Sequence, residues 1–163
     1  MRKISKLILA VVVAVGFFIG AAAAQSNWDV RPGKGVGPLS IGMSVSKCEQ
    51  IVQRNPKADH AFVGHKRPFW IYYLNGVQIN YDSSANAYQI YIDKPGIVTS
   101  KGVQVGDPQA KFIAAYGNNY LAHELPTAKS QPKQSFYAYK NLGLGFQVEN
   151  GIVKFIAVFP PHS

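Results

Sequence analysis

Residues 39–52 read LSIGMSVSKCEQIV, and 64 positions further on residues 103–116 read VQVGDPQAKFIAAY. In this alignment the dipeptide Ile41-Gly42 matches Val105-Gly106. In both stretches an apolar, extended dipeptide, a glycine and a capping residue precede a short amphipathic segment. Such an order is typical of a strand that turns into a helix. The two stretches therefore predict a chain built from two related units.

Each of these stretches predicts one short helix. The first helix is expected at about 45–53, where Ser44 can act as the N-cap, and the second at about 108–116. Asp107 is a suitable N-cap for the second helix, and Gly117 is a suitable end because glycine readily adopts the left-handed conformation that terminates helices. In the first helix Cys48 takes the place of Phe112, which favours a buried apolar role for this thiol over a reactive one.

Three antiparallel strands are expected after each helix. Residues 69–82, FWIYYLNGVQINYD, contain Asn75-Gly76, a strong hairpin signal, and a third strand follows at 87–93. In the second half, residues 135–159 contain a turn near 141–143 and an Asn150-Gly151 hairpin. The predicted fold class is α+β: a tandem repeat of one short helix followed by three antiparallel strands, with the helices on one face of the sheet. The first unit spans 25–96 and the second 97–163, and together they form one compact mature domain.

The first 24 residues predict a secretory signal peptide. Arg2, Lys3 and Lys6 precede an apolar run, and Ala22 and Ala24 offer a cleavage site before Gln25. We therefore expect a periplasmic or secreted protein, cleaved after Ala24, with no stable membrane anchor. Removing this segment leaves 14 of the 17 Lys and Arg against all 8 Asp and Glu, a net charge of +6. This charge favours an acidic partner, but the basic residues are too scattered to predict nucleic-acid binding.

The phrases GVGPLSIGMSVSKCEQIV and KGVQVGDPQAKFIAAYG resemble the openings of small exported bacterial domains. The similarity is to the tandem repeats of the β-lactamase-inhibitory-protein-like group and to the related fold of the outer-membrane assembly lipoprotein BamE/SmpA. This resemblance implies a non-enzymatic binding module and names no ligand. Two features depart from it. Cys48 is the sole cysteine, so no internal disulfide can form, and no lipid-anchoring cysteine follows the signal segment.

Strand alternation divides the sheet residues into two faces. The core-facing set is expected to be Ile71, Tyr73, Val77, Ile79, Tyr81, Ile90 and Ile92. The other face is then open for binding, unless the second unit or residues 26–34 cover it. Phe155 and Gln147 of the second unit are expected on this face, and a basic loop at 54–68 adds cations. The predicted binding residues are Trp70, Tyr72, Gln78, Asn80, Gln89, Tyr91, Phe136, Lys140, Lys66 and Arg67.

No sequence motif predicts catalysis or a cofactor. The glycine-rich GKGVG at 33–37 lacks the Lys-Ser/Thr of a phosphate-binding loop, and His60 and His65 stand in a loop with no second cluster of metal ligands. The sequence thus predicts a non-enzymatic, exported protein without a metal or cofactor, which binds another protein as an inhibitor or immunity-type module. Two alternatives remain open: an envelope assembly or structural factor that binds lipid or an anionic polymer, and a small periplasmic hydrolase.

Overall fold

The computed structural model describes residues 28–54, 60–63, 69–73, 76–126 and 132–162, with residues 60–63, 69 and 70 described by their backbone alone. The predicted signal peptide, 1–24, lies outside these ranges. In chain order the described elements are β1 (Val30–Arg31), β2 (Gly35–Val36), β3 (Leu39–Ser40), α1 (Val45–Val52), β4 (His60–Val63), β5 (Phe69–Tyr73), β6 (Val77–Tyr81), β7 (Ala87–Ile92), α2 (Gln109–Tyr116), β8 (Leu121–Leu125), β9 (Gln134–Tyr139), a 3-10 helix (Lys140–Leu142), β10 (Leu144–Glu149) and β11 (Ile152–Val158).

An eight-stranded antiparallel sheet dominates the fold. Its strand order is β4-β5-β6-β7-β11-β10-β9-β8, so the strands that follow α1 occupy one half and those that follow α2 the other. The halves meet at the β7–β11 pair, where Ile90 faces Val158 and Ile92 faces Ile156. All four of these residues are completely buried. The apolar centre of the sheet therefore holds the two halves together.

The hydrophobic core lies on one face of this sheet, beneath both helices. Phe112, the buried residue of α2, stacks on Phe146 of β10 with ring centroids 4.5 Å apart and an interplanar angle of 6°. On the α1 side, the hydroxyls of Tyr73 and Tyr81 lie 2.9 Å apart within the core. Burial raises the pKa of Tyr73 to about 12, and burial together with this hydrogen bond raises that of Tyr81 further. Both phenols thus stay neutral, as groups inside an apolar core must.

A small three-stranded sheet, β1-β2-β3, closes the core at its N-terminal side. Arg31 stabilises its turns, because its Nη2 donates to the carbonyl oxygens of Gly37 at 2.6 Å and Leu39 at 3.2 Å. Val30 is completely buried and bridges to Thr99, so this sheet is joined to the link between the halves.

None of the helices in the described part of the chain has both the length and the apolar character needed to cross a membrane.

The predicted fold class is wrong. The described residues are mostly β, with two antiparallel sheets and two α-helices of eight residues each, and they do not form a tandem repeat of one helix and three strands. Four strands follow each helix, and β1–β3 precede α1. The segment of β4 falls within the loop predicted at 54–68, and the sequence predicts no strand over the segment of β8. Four of the five residues of β8 are exposed, so its sequence, LAHEL, carries no burial pattern. The strands of the small sheet have two residues each, too few for any periodicity.

Several local predictions can be compared directly with the structure. The Asn150-Gly151 hairpin is confirmed, with φ of 51° and 77° at its two residues, the positive values that a two-residue hairpin turn requires. Gly117 ends α2, as expected. Asp107 as the N-cap is wrong, because Pro108 occupies that position. The Asp107 carboxylate instead accepts hydrogen bonds from the Gln104 backbone at 2.7 Å and from Lys111 Nζ at 2.8 Å.

Candidate binding face

The second face of the large sheet carries neither α1 nor α2. Phe112 packs on Phe146 and Tyr139, and Cys48 lies beside Tyr81, so both helices cover the core face. The other face is lined across its middle by eight partly buried side chains. We call this surface the polar–aromatic face, and it consists of Tyr72, Gln78, Asn80, Gln89, Tyr91, Phe136, Gln147 and Phe155.

Strand register brings these residues together from six strands. Tyr72 pairs with Gln78, and Gln78 pairs in turn with Tyr91 of β7. In the other half Phe155 pairs with Gln147, which pairs with Phe136 of β9. Because directly paired residues point to the same side of a sheet, each set forms a row across the face. The core-facing set expected from alternation is confirmed, since each of its members is at most 3% exposed.

Amide side chains form a connected ladder on β6 and β7. Gln78 Nε2 donates to Asn80 Oδ1 at 3.0 Å, and Asn80 Nδ2 donates to Gln89 Oε1 at 3.2 Å. These contacts hold the three amides in one orientation. Within the described part of the chain Gln78 Oε1 and Gln89 Nε2 have no partner, so the ladder presents an acceptor at one end and a donor at the other.

A second ladder lies on β9 and β10. Gln147 Nε2 donates to Gln134 Oε1 at 2.9 Å, and Gln134 Nε2 donates to Glu149 Oε2 at 2.9 Å. Lys154 Nζ lies 3.8 Å from the other carboxylate oxygen of Glu149. The acid at the edge of the face is therefore already paired, and the middle of the polar–aromatic face is uncharged.

Aromatic rings fill the space between the ladders. The rings of Tyr91 and Phe155 meet edge to face, with centroids 6.5 Å apart. The Phe136 ring lies across Gly145 of β10, so that a Cβ at this glycine would collide with it. The His123 ring of β8 packs against the same ring, with centroids 5.6 Å apart. Glycine at 145 thus lets the Phe136 ring lie flat on the sheet.

Two depressions open on this side of the sheet. The amide cavity, of about 410 Å³, is lined by Gln78, Asn80, Tyr91, Gln147 and Phe155. The aromatic cavity, of about 370 Å³, is lined by Tyr88, Gln89, His123, Phe136, Ala138, Lys140, Phe159, Pro160 and His162. A β-bulge after Asn80 shifts the register, so two successive residues, Tyr88 and Gln89, both reach the aromatic cavity.

The hydroxyls on this face remain protonated at neutral pH. Tyr72 donates to Asp93 Oδ2 at 2.8 Å, and this hydrogen bond, with burial, raises the Tyr72 pKa. Burial raises the pKa of Tyr91 to about 12. Among the described residues no three His, Cys, Asp or Glu side chains are close enough to hold a metal ion. The face therefore offers neutral donors, neutral acceptors and ring surface, which are the means of molecular recognition.

The predicted binding residues have different outcomes. Tyr72, Gln78, Asn80, Gln89, Tyr91 and Phe136 lie together on the polar–aromatic face. Lys140 is in the 3-10 helix beyond β9, exposed at the rim of the aromatic cavity. The backbone of Trp70 pairs with Asn80, which places it in the same row, but its side chain is outside the description. Lys66 and Arg67 also lie outside the described residues.

Sequence reasoning missed six residues of the aromatic cavity: Tyr88, His123, Ala138, Phe159, Pro160 and His162. Alternation would have placed His123 beside Phe136 had β8 been recognised as a strand. The bulge that turns Tyr88 toward this face has no sequence signal of its own. The C-terminal segment reaches the cavity because the backbone N–H of His162 donates to Lys140 O at 3.0 Å, a contact that no local pattern predicts.

The chain was also compared with known proteins. The resemblance to the β-lactamase-inhibitory-protein-like and BamE/SmpA-like domains is not tested by these comparisons and stays a prediction. No protein-family model, no curated protein and no solved structure matches this chain.

Proposed function

We propose that this chain is an exported, non-catalytic binding protein that engages another protein through the polar–aromatic face, as an inhibitor or immunity-type module. The observation that carries the proposal is the amide ladder Gln78–Asn80–Gln89 beside half-buried Tyr91, on a sheet face that neither described helix covers. Aromatic side chains and oriented polar groups are what protein interfaces use for contact area and specificity.

The ladder supports a protein partner because its geometry exists before binding. Asn80 is held from both sides, by Gln78 and Gln89, so the amides lose little side-chain freedom when a partner docks. The unpartnered Gln78 oxygen and Gln89 nitrogen match the N–H and C=O groups of a peptide backbone. The rings of Tyr91 and Phe155 supply apolar contact between these polar groups.

Protein binding is better supported than the alternative of an envelope factor that binds lipid or an anionic polymer. Such a ligand requires clustered Lys and Arg. The eight residues that define the polar–aromatic face include no cation. The net charge of +6 expected after signal cleavage is compatible with an acidic partner. This charge would accelerate the association of such a partner, but it does not determine where the partner docks.

Site-specific photo-crosslinking in the source organism tests the proposal. A photoreactive residue replaces Gln78 or Gln89 on the face, and in a control it replaces exposed Asn118, beyond the end of α2. We expect one partner protein to crosslink at both face positions and not at 118. With that partner purified, the double variant Asn80→Ala/Tyr91→Ala should bind at least about tenfold more weakly, as loss of a central interface cluster does, and Asn118→Ala should bind normally.

The proposal is refuted if the partner crosslinks from position 118 alone, or if the double variant folds normally and binds the partner with unchanged affinity. Chemical shift or circular dichroism spectra of the double variant establish that it is folded. Both substituted side chains are on the face opposite the core, so the core packing of the variant is expected to persist.

A further inference from the structure

We propose that the aromatic cavity is a binding site for a small carboxylate with an apolar body, such as an arylacetate or a short acyl chain. The inference does not depend on the proposed protein partner, because it concerns a different ligand, although the cavity shares Gln89 and Phe136 with the polar–aromatic face. The aromatic cavity has a volume of about 370 Å³, which is within the range of small-molecule pockets, roughly 300–1,000 Å³.

The body of the ligand is predicted from the cavity walls. The Phe136 ring, the Ala138 methyl group and Pro160 give the cavity an apolar floor and side. Phe136 is braced by His123 at 5.6 Å, and Phe159 is stacked on His162 at 6.4 Å with an interplanar angle of 13°. Flat walls of this kind favour planar or extended apolar groups.

The charge of the ligand is predicted from the rim. Lys140, His123 and His162 all line the cavity, and no acidic residue does so among the described residues. The Lys140 ammonium has no hydrogen bond or ion pair within the described ranges. An unpaired cation beside an apolar wall is well placed to bind an anion. Gln89 adds a neutral donor, because its oxygen is already occupied by Asn80. The complement of this rim is a carboxylate.

The cavity is built into the fold and does not depend on an independent loop. Phe159 N donates to Gly143 O at 3.1 Å, and His162 N donates to Lys140 O at 3.0 Å, so the C-terminal wall is tied to the 3-10 helix. Gly33 N also donates to Gly143 O, at 3.2 Å. A Cβ at Gly143 would collide with Phe159 and Gly33, which shows how closely the three segments pack. A preformed wall lowers the entropic cost of ligand binding.

A neighbouring depression leaves room for a longer ligand. It has a volume of about 230 Å³ and shares Ala138, Lys140 and His162 with the aromatic cavity. Leu121, which is 55% exposed, and Tyr120 line its far side. An acyl chain that leaves the aromatic cavity past Ala138 would therefore cover an otherwise exposed leucine at the edge of the sheet.

Titration of the purified protein with sodium phenylacetate and sodium octanoate, followed by NMR, tests this inference. We expect saturable shifts of the Ala138 methyl and of the His123 and His162 ring resonances. The neutral amides phenylacetamide and octanamide isolate the contribution of the charge, and we expect them to bind about three- to tenfold more weakly, as the loss of one charge-assisted hydrogen bond implies.

Variants separate the cavity from general surface charge. Lys140→Gln should reduce the affinity for phenylacetate to that for phenylacetamide. Lys47→Gln, at an exposed lysine of α1, should leave the affinities for both ligands unchanged. Ala138→Leu should block both ligands by filling the floor. The inference is overturned if neither acid gives saturable shifts at concentrations up to about 10 mM, if acid and amide bind equally, or if Lys47→Gln has the effect of Lys140→Gln. None of these results bears on crosslinking at Gln78, which tests the protein-binding proposal.

Discussion

Two phenylalanines on opposite sides of β9 and β10 test which face of the sheet is core and which is open. Phe112 reaches the strands from α2, is completely buried and stacks on Phe146. Phe136 is on the other side, where its half-buried ring covers Gly145. The substitutions Phe112→Ala and Phe136→Ala remove the same atoms from the two sides of one strand pair.

The expected losses of stability differ severalfold. Removing a fully buried phenylalanine ring costs about 3–5 kcal/mol, because apolar contacts are lost and a cavity is left behind. Burying a whole phenylalanine contributes roughly 1.5–3 kcal/mol, and Phe136 is only partly buried, so Phe136→Ala should cost about 1 kcal/mol. With a urea dependence of about 1–3 kcal/mol per molar, Phe112→Ala should lower the unfolding midpoint by about 2 M and Phe136→Ala by about 0.5 M.

Urea unfolding followed by circular dichroism measures both differences under the same conditions. Equal urea dependence in the two variants would establish that each loss reflects stability and not a change in the unfolded chain. A loss of 3 kcal/mol or more for Phe136→Ala would refute the reasoning, since it would mean that another part of the chain covers Phe136. The polar–aromatic face would then be a second core surface and unavailable to a partner.

Three further outcomes are expected. Burial raises the pKa of Tyr139 to about 12. Its neutral phenol therefore contributes fully to folding stability below pH 10, and this contribution is lost as the pH rises toward 12. In unfolding titrations Tyr139→Phe should accordingly reduce the alkaline loss of stability by about 2–3 kcal/mol. Cys48, buried with a raised pKa, should react with a thiol reagent only as fast as the protein unfolds; rapid labelling would contradict its buried position. Gly151→Ala, at φ 77°, should destabilise the β10–β11 hairpin by about 1 kcal/mol, and an unchanged melting temperature would contradict the positive-φ turn.

Strand alternation was sufficient to divide the central strands into a core face and an open face. In β6 the buried residues Val77, Ile79 and Tyr81 alternate with partly exposed Gln78 and Asn80, and a period of two survives in the sequence whenever only one face is buried. The same reasoning could not find β8. As an edge strand with four exposed residues, it has no buried face to impose a period.

The aromatic cavity was beyond sequence reasoning for a different reason. Its walls come from the bulge in β7, from β8 and β9, and from the segment after β11, and no local pattern links these parts. A bulge adds one residue to a strand, so the alternation of core-facing and outward-facing side chains is displaced by one position at that point. Tyr88, which simple alternation would place with the core, therefore lines the same cavity as Gln89.

Gln89 connects the two proposed sites and fixes what each can recognise. Asn80 donates to its oxygen, which orients the Gln89 amide so that the nitrogen is the group left unpartnered at the aromatic cavity. The orientation of Asn80 is set in turn by Gln78, whose nitrogen occupies the Asn80 oxygen. Both hydrogen bonds of the ladder therefore run in the same donor-to-acceptor direction, from the amide cavity toward the aromatic cavity. Because an amide can present either a donor or an acceptor, this direction decides that the aromatic cavity meets its ligand with a donor, in agreement with the Lys140 ammonium at its rim.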